Sequence, residues 1–155
     1  MQRVSSVAAE WRLMRVVQFW TLQFLLTPLL ASAGAADLEV TLEDVATSSG
    51  HVLVAVCTPE TFLRQGCPYS GRAPAASGEA QVVVRGIEPG LYAVQAFHDQ
   101  NDNFDLDRNF LGIPKEGMGF SNDAPMRFGP PSFDEAAIEV SADGAATRLR
   151  LRYFD

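Results

Sequence analysis

From residue 37 onward the chain alternates short apolar runs with turn residues. No stretch holds a helical stripe over about twelve residues, so the periodicity predicts an all-β domain. Leu38, Val40 and Leu42 alternate with acidic residues and Thr41, Ser48-Ser49-Gly50 supplies a turn, and His51 to Cys57 reads as a Val-rich strand. Together they predict an opening hairpin. Thr58 to Leu63 predicts one helical turn, with Thr58 as its cap and Pro59 at the first helical position. Gly71 to Gly78, rich in Ala, Ser and Pro, predicts a loop. Ala80 to Arg85 and Leu91 to His98 are the next strands, joined through Glu88-Pro89-Gly90, whose Pro-Gly pair has type II turn chemistry. Leu91 to Phe97 is apolar on both faces apart from Gln95, which predicts a central strand between two packed layers. Ala136 to Val140, a Ser141 to Gly144 turn and Thr147 to Tyr153 predict a closing hairpin. A further strand is expected near Asp105 to Ile113, giving about seven in a small antiparallel β-sandwich. In the last strand Arg148, Arg150 and Arg152 alternate with Leu149, Leu151 and Tyr153, which predicts a solvent face paired across the hairpin with Glu139.

Residues 1–36 break this pattern. Arg3, Arg12 and Arg15 precede an apolar run from Val16 to Leu30, and small residues follow from Ala31 to Ala36. That order predicts a cleaved secretory signal peptide, with cleavage after Ala33 or Ala35, and so a periplasmic or secreted protein. The run is shorter than the roughly 18–20 residues of a spanning helix, so no stable membrane anchor is expected. Met14-Arg15 directly before the run makes a more compact leader, and translation from Met14 is an expectation. Residues 37–155 are then read as one domain.

The full chain of 155 residues has 12 basic and 19 acidic side chains, a formal net charge of −7. Removing residues 1–36 takes away three arginines and one glutamate and leaves nine basic against eighteen acidic side chains. Such a surface repels phosphate backbones, which argues against a nucleic-acid partner. Export also makes the two cysteines readable. Cys57 and Cys67 enclose a short segment that one disulfide closes in an oxidising compartment, and their spacing matches no zinc pattern.

Candidate chemistry concentrates in residues 99–134, read as a long functional loop between the central strand and the closing hairpin. Asp99, Asn101, Asn103, Asp105 and Asp107 put a side-chain oxygen at every second position. Ca²⁺ takes six to eight oxygens at about 2.3–2.6 Å, so a tightly curled loop of this spacing is a candidate calcium site. Phe104 stands where a glycine would make the sharp turn and Phe110 where a bidentate glutamate would close the shell, leaving backbone carbonyls or Glu116 to supply missing ligands. Phe110, Phe120, Phe128 and Phe133 are expected to pin the loop onto the sandwich. Gly117 and Gly119 follow no strand-to-helix unit, so a phosphate cradle is not expected.

The stretch from His98 and Asp99 through Asn109-Phe110-Leu111-Gly112-Ile113-Pro114-Lys115-Glu116-Gly117 and Gly119-Phe120-Ser121-Asn122, followed by Phe128-Gly129-Pro130-Pro131-Ser132-Phe133, resembles the bacterial exported domain-of-unknown-function family 2141 (DUF2141). Weaker similarity runs over roughly residues 37–153. The resemblance implies a small exported β-sandwich, similar to transthyretin-like and immunoglobulin-like modules, with no established activity. It also implies glycine where this chain has Asp102 and Phe104.

A catalytic constellation is not legible. His98 beside Asp99 is the one His-acid neighbour pair, and adjacent strand residues point to opposite faces. His98 is read instead as a strand-end residue bonded to the long loop. The expectation is a non-catalytic module that binds a protein, peptide or glycan through residues 99–134. The alternative is a metal-dependent hydrolase acting on envelope polymers, which needs a nucleophile with its base, or paired carboxylates.

Overall fold

The computed structural model describes residues 34–154. The expected leader lies outside the described residues except at its last three positions, of which Ala36 already begins the first strand. Eight strands form among the described residues: β1 (Ala36–Val45), β2 (His51–Cys57), β3 (Tyr69–Pro74), β4 (Gly78–Ile87), β5 (Gly90–Asp99), β6 (Met118–Phe120), β7 (Ala137–Val140) and β8 (Ala145–Arg150). A one-turn helix, α1 (Phe133–Ala136), is set by a reciprocal capping box between Ser132 and Glu135.

The strands divide into two sheets. One has the order β4, β1, β8; the other runs β3, β2, β5, with β6 and β7 sharing the far edge of β5. All pairings are antiparallel except β1 with β8, which run parallel. Alternation sets the core. Leu38, Val40 and Leu42 of β1, Val82 and Val84 of β4, and Leu149 of β8 meet Val52, Val54 and Val56 of β2 and Val94 and Ala96 of β5. Each side chain points inward because its neighbours one residue away point out. The result is an open, all-β sandwich.

Three connections read from turn chemistry as hairpins are crossings between sheets. β1 pairs with β4 and β8 while β2 pairs with β3 and β5, so Ser48-Ser49-Gly50 joins opposite layers. β4 and β5 also lie in different sheets. Gly90 is not among the positive-φ residues, and the left-handed bend sits upstream at Gly86 (φ 74°). β7 likewise lies across from β8. Arg148 and Arg150 therefore face Glu43 of the parallel neighbour β1, with Arg150 Nε 3.1 Å from Glu43 Oε2, rather than Glu139.

Two further expectations change. Residues 71–74, read as loop, belong to β3, and no strand forms over 105–113, where a single bridge links Arg108 with Pro114. β3 carries no apolar alternation because it is an edge strand packed on β4. A Cβ at Gly71 would lie 2.9 Å from Val82 Cγ1, and Pro74 ends the strand opposite His51, on an edge strand where proline is tolerated. Thr58–Leu63, expected as a helical turn, is a hydrogen-bonded turn closed by Phe62 N–H to the Thr58 carbonyl at 2.9 Å, and Leu63 leaves it in the left-handed region, φ 60°.

Candidate functional site

The outward face of the five-stranded sheet carries two rows of side chains. Register aligns Arg72, Leu53, Phe97 and Met118 in one row, and Ser70, Ala55, Gln95 and Phe120 in the other. One end of this face is covered by a second apolar cluster of Cys57, Phe62, Ala93, Phe120, Ala124 and Ala136. Phe62 meets Phe120 and Phe133 edge-on at 5.8 and 5.9 Å between centroids. The Cys57–Cys67 disulfide, with Cα atoms 4.5 Å apart, holds the segment carrying Phe62 against the sheet.

Beyond this cluster the face opens into a cleft of about 760 Å³. Leu53, Ala55, Gln95, Phe97 and Met118 make its floor. Leu63, Arg64 and Gln65 of the disulfide-closed segment form one wall. Phe104, Asp105, Leu106 and Arg108 of the long loop form the other, with Ser70 and Arg72 at the edge. Gln95 braces the first wall, accepting from Leu63 N–H at 3.3 Å. Arg72 braces the second, its guanidinium carbon 5.2 Å from the Phe104 ring centroid.

The second wall owes its shape to the acidic repeat. Asp99 is fully buried, and its two oxygens accept from Asn103 N–H (3.1 Å) and Phe104 N–H (2.9 Å). Asn101 and Asn103 each close an Asx-turn, accepting from Asn103 N–H at 3.1 Å and Asp105 N–H at 2.8 Å. Their amide nitrogens donate to the two oxygens of Asp107, at 2.8 and 3.2 Å. Asp99, Asn101, Asn103 and Asp107 thus share one hydrogen-bonded ring, while Asp105 stands apart, exposed beside the cleft. Among the described residues no group of three His, Cys, Asp or Glu side chains converges as metal ligands. Glu116 reaches this loop, but toward backbone: its buried carboxylate accepts from Gln100 N–H (2.9 Å) and Asp107 N–H (3.2 Å), closing the neck. His51 Nδ1 lies 2.5 Å from Asp102 Oδ1 and ties the loop to β2.

The expectation that four phenylalanines pin the loop divides. Phe120 is buried and Phe133 packs on Phe62, but Phe110 is 95% exposed and Phe128 fully exposed. Phe110 sits on an exposed tip in which Asn109 Oδ1 accepts from Leu111 and Ile113 N–H, at 2.9 and 3.0 Å. His98 is buried and does not serve the long loop through its ring. Nε2 lies 2.8 Å from the Ser49 carbonyl, which only accepts, so Nε2 carries the proton; in the neutral ring Nδ1 then accepts from Tyr153 Oη, at 2.9 Å. Burial raises the Tyr153 hydroxyl above its ordinary range.

Gly117 and Gly119 have a packing reason. A methyl on Gly117 would overlap the Tyr153 ring, and one on Gly119 would overlap the Arg150 carbonyl. This close approach lets Met118 and Arg152 exchange backbone hydrogen bonds of 3.0 and 2.8 Å, linking β6 to the tail of β8. Ser121 then fills the break between β6 and β7 on the edge of β5. Its Oγ accepts from Val94 N–H at 2.9 Å and donates to the Ala136 carbonyl.

A family model described as "Uncharacterized protein conserved in bacteria (DUF2141)" matches residues 40–148. The chain belongs to this family. The match spans the strands from β1 into β8, including both walls of the cleft and the whole acidic loop of this DUF2141 protein. Comparison with curated proteins and with solved structures gives no match.

Sequence reasoning located the loop wall of this DUF2141 protein but not the cleft. Its signal was present in Leu53, Ala55 and Phe97, apolar residues at outward positions of strands whose inward positions are already apolar.

Proposed function

We propose that this DUF2141 protein is an exported, non-catalytic β-sandwich module that holds a ligand in the cleft between its disulfide-closed segment and its acidic loop. The carrying observation is the apolar row Leu53, Phe97 and Met118 on an outer sheet face, left open between two braced walls. A sheet face turned to solvent ordinarily alternates to polar residues. The volume of about 760 Å³ falls in the range of small-molecule pockets, about 300–1,000 Å³. Such a cleft suits a small molecule, or a short peptide or glycan segment, better than the broad face of a folded protein, which buries about 800 Å² per partner.

The Cys57–Cys67 bridge supports export, because such bonds persist in oxidising compartments. A non-catalytic role is supported by the occupations of the neighbouring His98 and Asp99, neither of which lines the cleft. Both oxygens of Asp99 hold backbone amides, and the His98 ring is spent on Ser49 and Tyr153.

Calcium belongs to this reading as a stabiliser of the loop wall. Two carboxylates and two amides of the ring supply oxygens of the kind Ca²⁺ takes. Turning each amide by half a rotation puts its oxygen where its NH₂ now meets Asp107, at the cost of the two Asx-turn bonds. That cost argues for weak binding of the extracellular kind, on the order of 10⁻⁴–10⁻³ M.

The test is incubation of the protein with a panel of peptides, oligosaccharides and amphiphiles, following binding by calorimetry and product by mass spectrometry. Saturable binding with every ligand recovered at its original mass is expected. Metal-dependent cleavage of any panel member would overturn the reading in favour of a hydrolase.

A further inference from the structure

The arginines of the described residues differ in what they face. Outside the cleft, Arg85 faces Asp37 (3.6 Å), Arg152 faces Asp123 (2.8 Å), and Arg148 and Arg150 share Glu43, while Arg127 stands exposed with no carboxylate in ion-pair reach among the described residues. Arg64, Arg72 and Arg108, all lining the cleft, have no ion-pair partner among the described residues. Arg72 stacks on Phe104, and Arg108 spends one N–H on the Gly112 carbonyl at 3.1 Å. One carboxylate, Asp105, lines the same cleft, so three guanidinium groups face one acid. In a chain with a formal net charge of −7 the lining itself thus carries an excess of positive charge, while Asp102 and Asp107 of the same loop are engaged by His51 and by the Asn101 and Asn103 amides. A concave site lined by one sign of charge with apolar walls concentrates ligands of the opposite sign.

The neutral polar groups on the floor narrow the ligand further. Gln95 is engaged at both ends of its amide, with Leu63 N–H and with Cys67 Sγ. A peptide backbone or a sugar brings many donors and acceptors that must find partners when desolvated, and the floor offers few. A hydrocarbon or aromatic body needs only Leu53, Phe97 and Met118 beneath it.

We infer that the cleft takes a small amphiphilic anion, a carboxylate, sulfonate or phosphate head on an apolar body, with the head at Arg64, Arg72 and Arg108 and the body on the sheet. This inference rests on the reading of the cleft as the ligand site. Charge-assisted hydrogen bonds from guanidinium groups to such a head are the stronger kind and are often bidentate.

Two fluorescent probes that share an N-phenylnaphthylamine body separate the two claims: anilinonaphthalene sulfonate, which carries the anion, and N-phenyl-1-naphthylamine, which does not. The sulfonate should bind the folded protein about tenfold tighter or more, the scale of one charge-assisted hydrogen bond. The triple variant Arg64→Gln, Arg72→Gln, Arg108→Gln should lose that preference and keep its affinity for the neutral probe. Ala55→Trp, which fills the floor, should weaken both, with circular dichroism confirming that each variant is folded. Dodecanoate should displace the sulfonate probe, while hexa-aspartate and a neutral oligosaccharide should not. Equal binding of both probes by the wild type overturns the anion inference and leaves the cleft standing. Binding of neither overturns both. Displacement by hexa-aspartate or the oligosaccharide with dodecanoate inert overturns the choice of an amphiphile.

Discussion

Arg72 of β3 lies 5.2 Å from the centroid of the Phe104 ring, and Phe104 extends that ring from a left-handed backbone, φ 62°. Asp102 is left-handed as well, φ 59°. These are the two positions where the family resemblance implies glycine, the residue that adopts this conformation without a Cβ clash. Phe104 accepts the strained backbone while its ring rests under a guanidinium at the cleft wall. Phe104→Ala and Phe104→Gly lose the same ring contact and differ in the backbone term. The glycine variant should therefore be the more stable by about 1 kcal/mol in denaturant titrations. Equal stability would mean that residue 104 is not left-handed.

Gly117 and Tyr153 make a second such pair across the sandwich. A methyl at residue 117 would overlap the Tyr153 ring, whose hydroxyl also accepts from Ala46 N–H at 3.0 Å. Gly117→Ala should cost about 1–3 kcal/mol by overpacking. In a double-mutant cycle with Tyr153→Ala the two changes should fall short of additivity by about 1 kcal/mol, since the second removes what the first collides with. Strict additivity would place the cost elsewhere.

Much of the layer structure was legible because burial forces period two. Leu38, Val40 and Leu42, or Val52, Val54 and Val56, can face one way only. Pairing was not, because Ser48-Ser49-Gly50 and Ser141 to Gly144 reverse the chain equally well within a sheet or between two. β3 and β6 were silent for a related reason. Gly71 and Gly119 are demanded by close approach to other strands, and that demand replaces an apolar residue with the smallest one. At the site, Asp99 to Asp107 stood out as a local repeat. The cleft is assembled from β2, β3, β5, β6 and two distant loops, and only tertiary contact brings Arg64, Arg72 and Arg108 to line one cleft.

Alkaline pH should reveal the buried hydroxyls. Burial, with Tyr69 beside it, pushes Tyr92 up from an ordinary value near 10.0 to about 12. Burial also raises Tyr153. A folded-state pKa above the unfolded one means that the unfolded chain loses its proton first. The stabilisation is complete below pH 10.0 and disappears as the pH climbs toward 12. Melting temperature should hold up to about pH 10 and then fall, and Tyr92→Phe should shallow the fall. An identical slope in the variant would remove Tyr92 as its source.

Calcium should act on the loop wall. At ten times a millimolar dissociation constant, linkage gives about 1.4 kcal/mol, enough to raise the melting temperature by several degrees. Ca²⁺ should raise it more than equal Mg²⁺, and Asp99→Ala or Asp107→Ala should abolish the rise. Equal melting curves in chelator and in Ca²⁺ would leave the ring of Asp99, Asn101, Asn103 and Asp107 as a turn held by its own amides.

The central claim is that ligands bind on the outward face of the five-stranded sheet, and amide chemical-shift mapping during titration with dodecanoate tests it most directly. The largest, saturable changes should fall on Leu53, Gln95, Phe97 and Met118 and on both walls, from Leu63 to Gln65 and from Phe104 to Arg108. Changes centred on the β4, β1, β8 face or on the exposed Phe110 tip, with the floor unmoved, would contradict it.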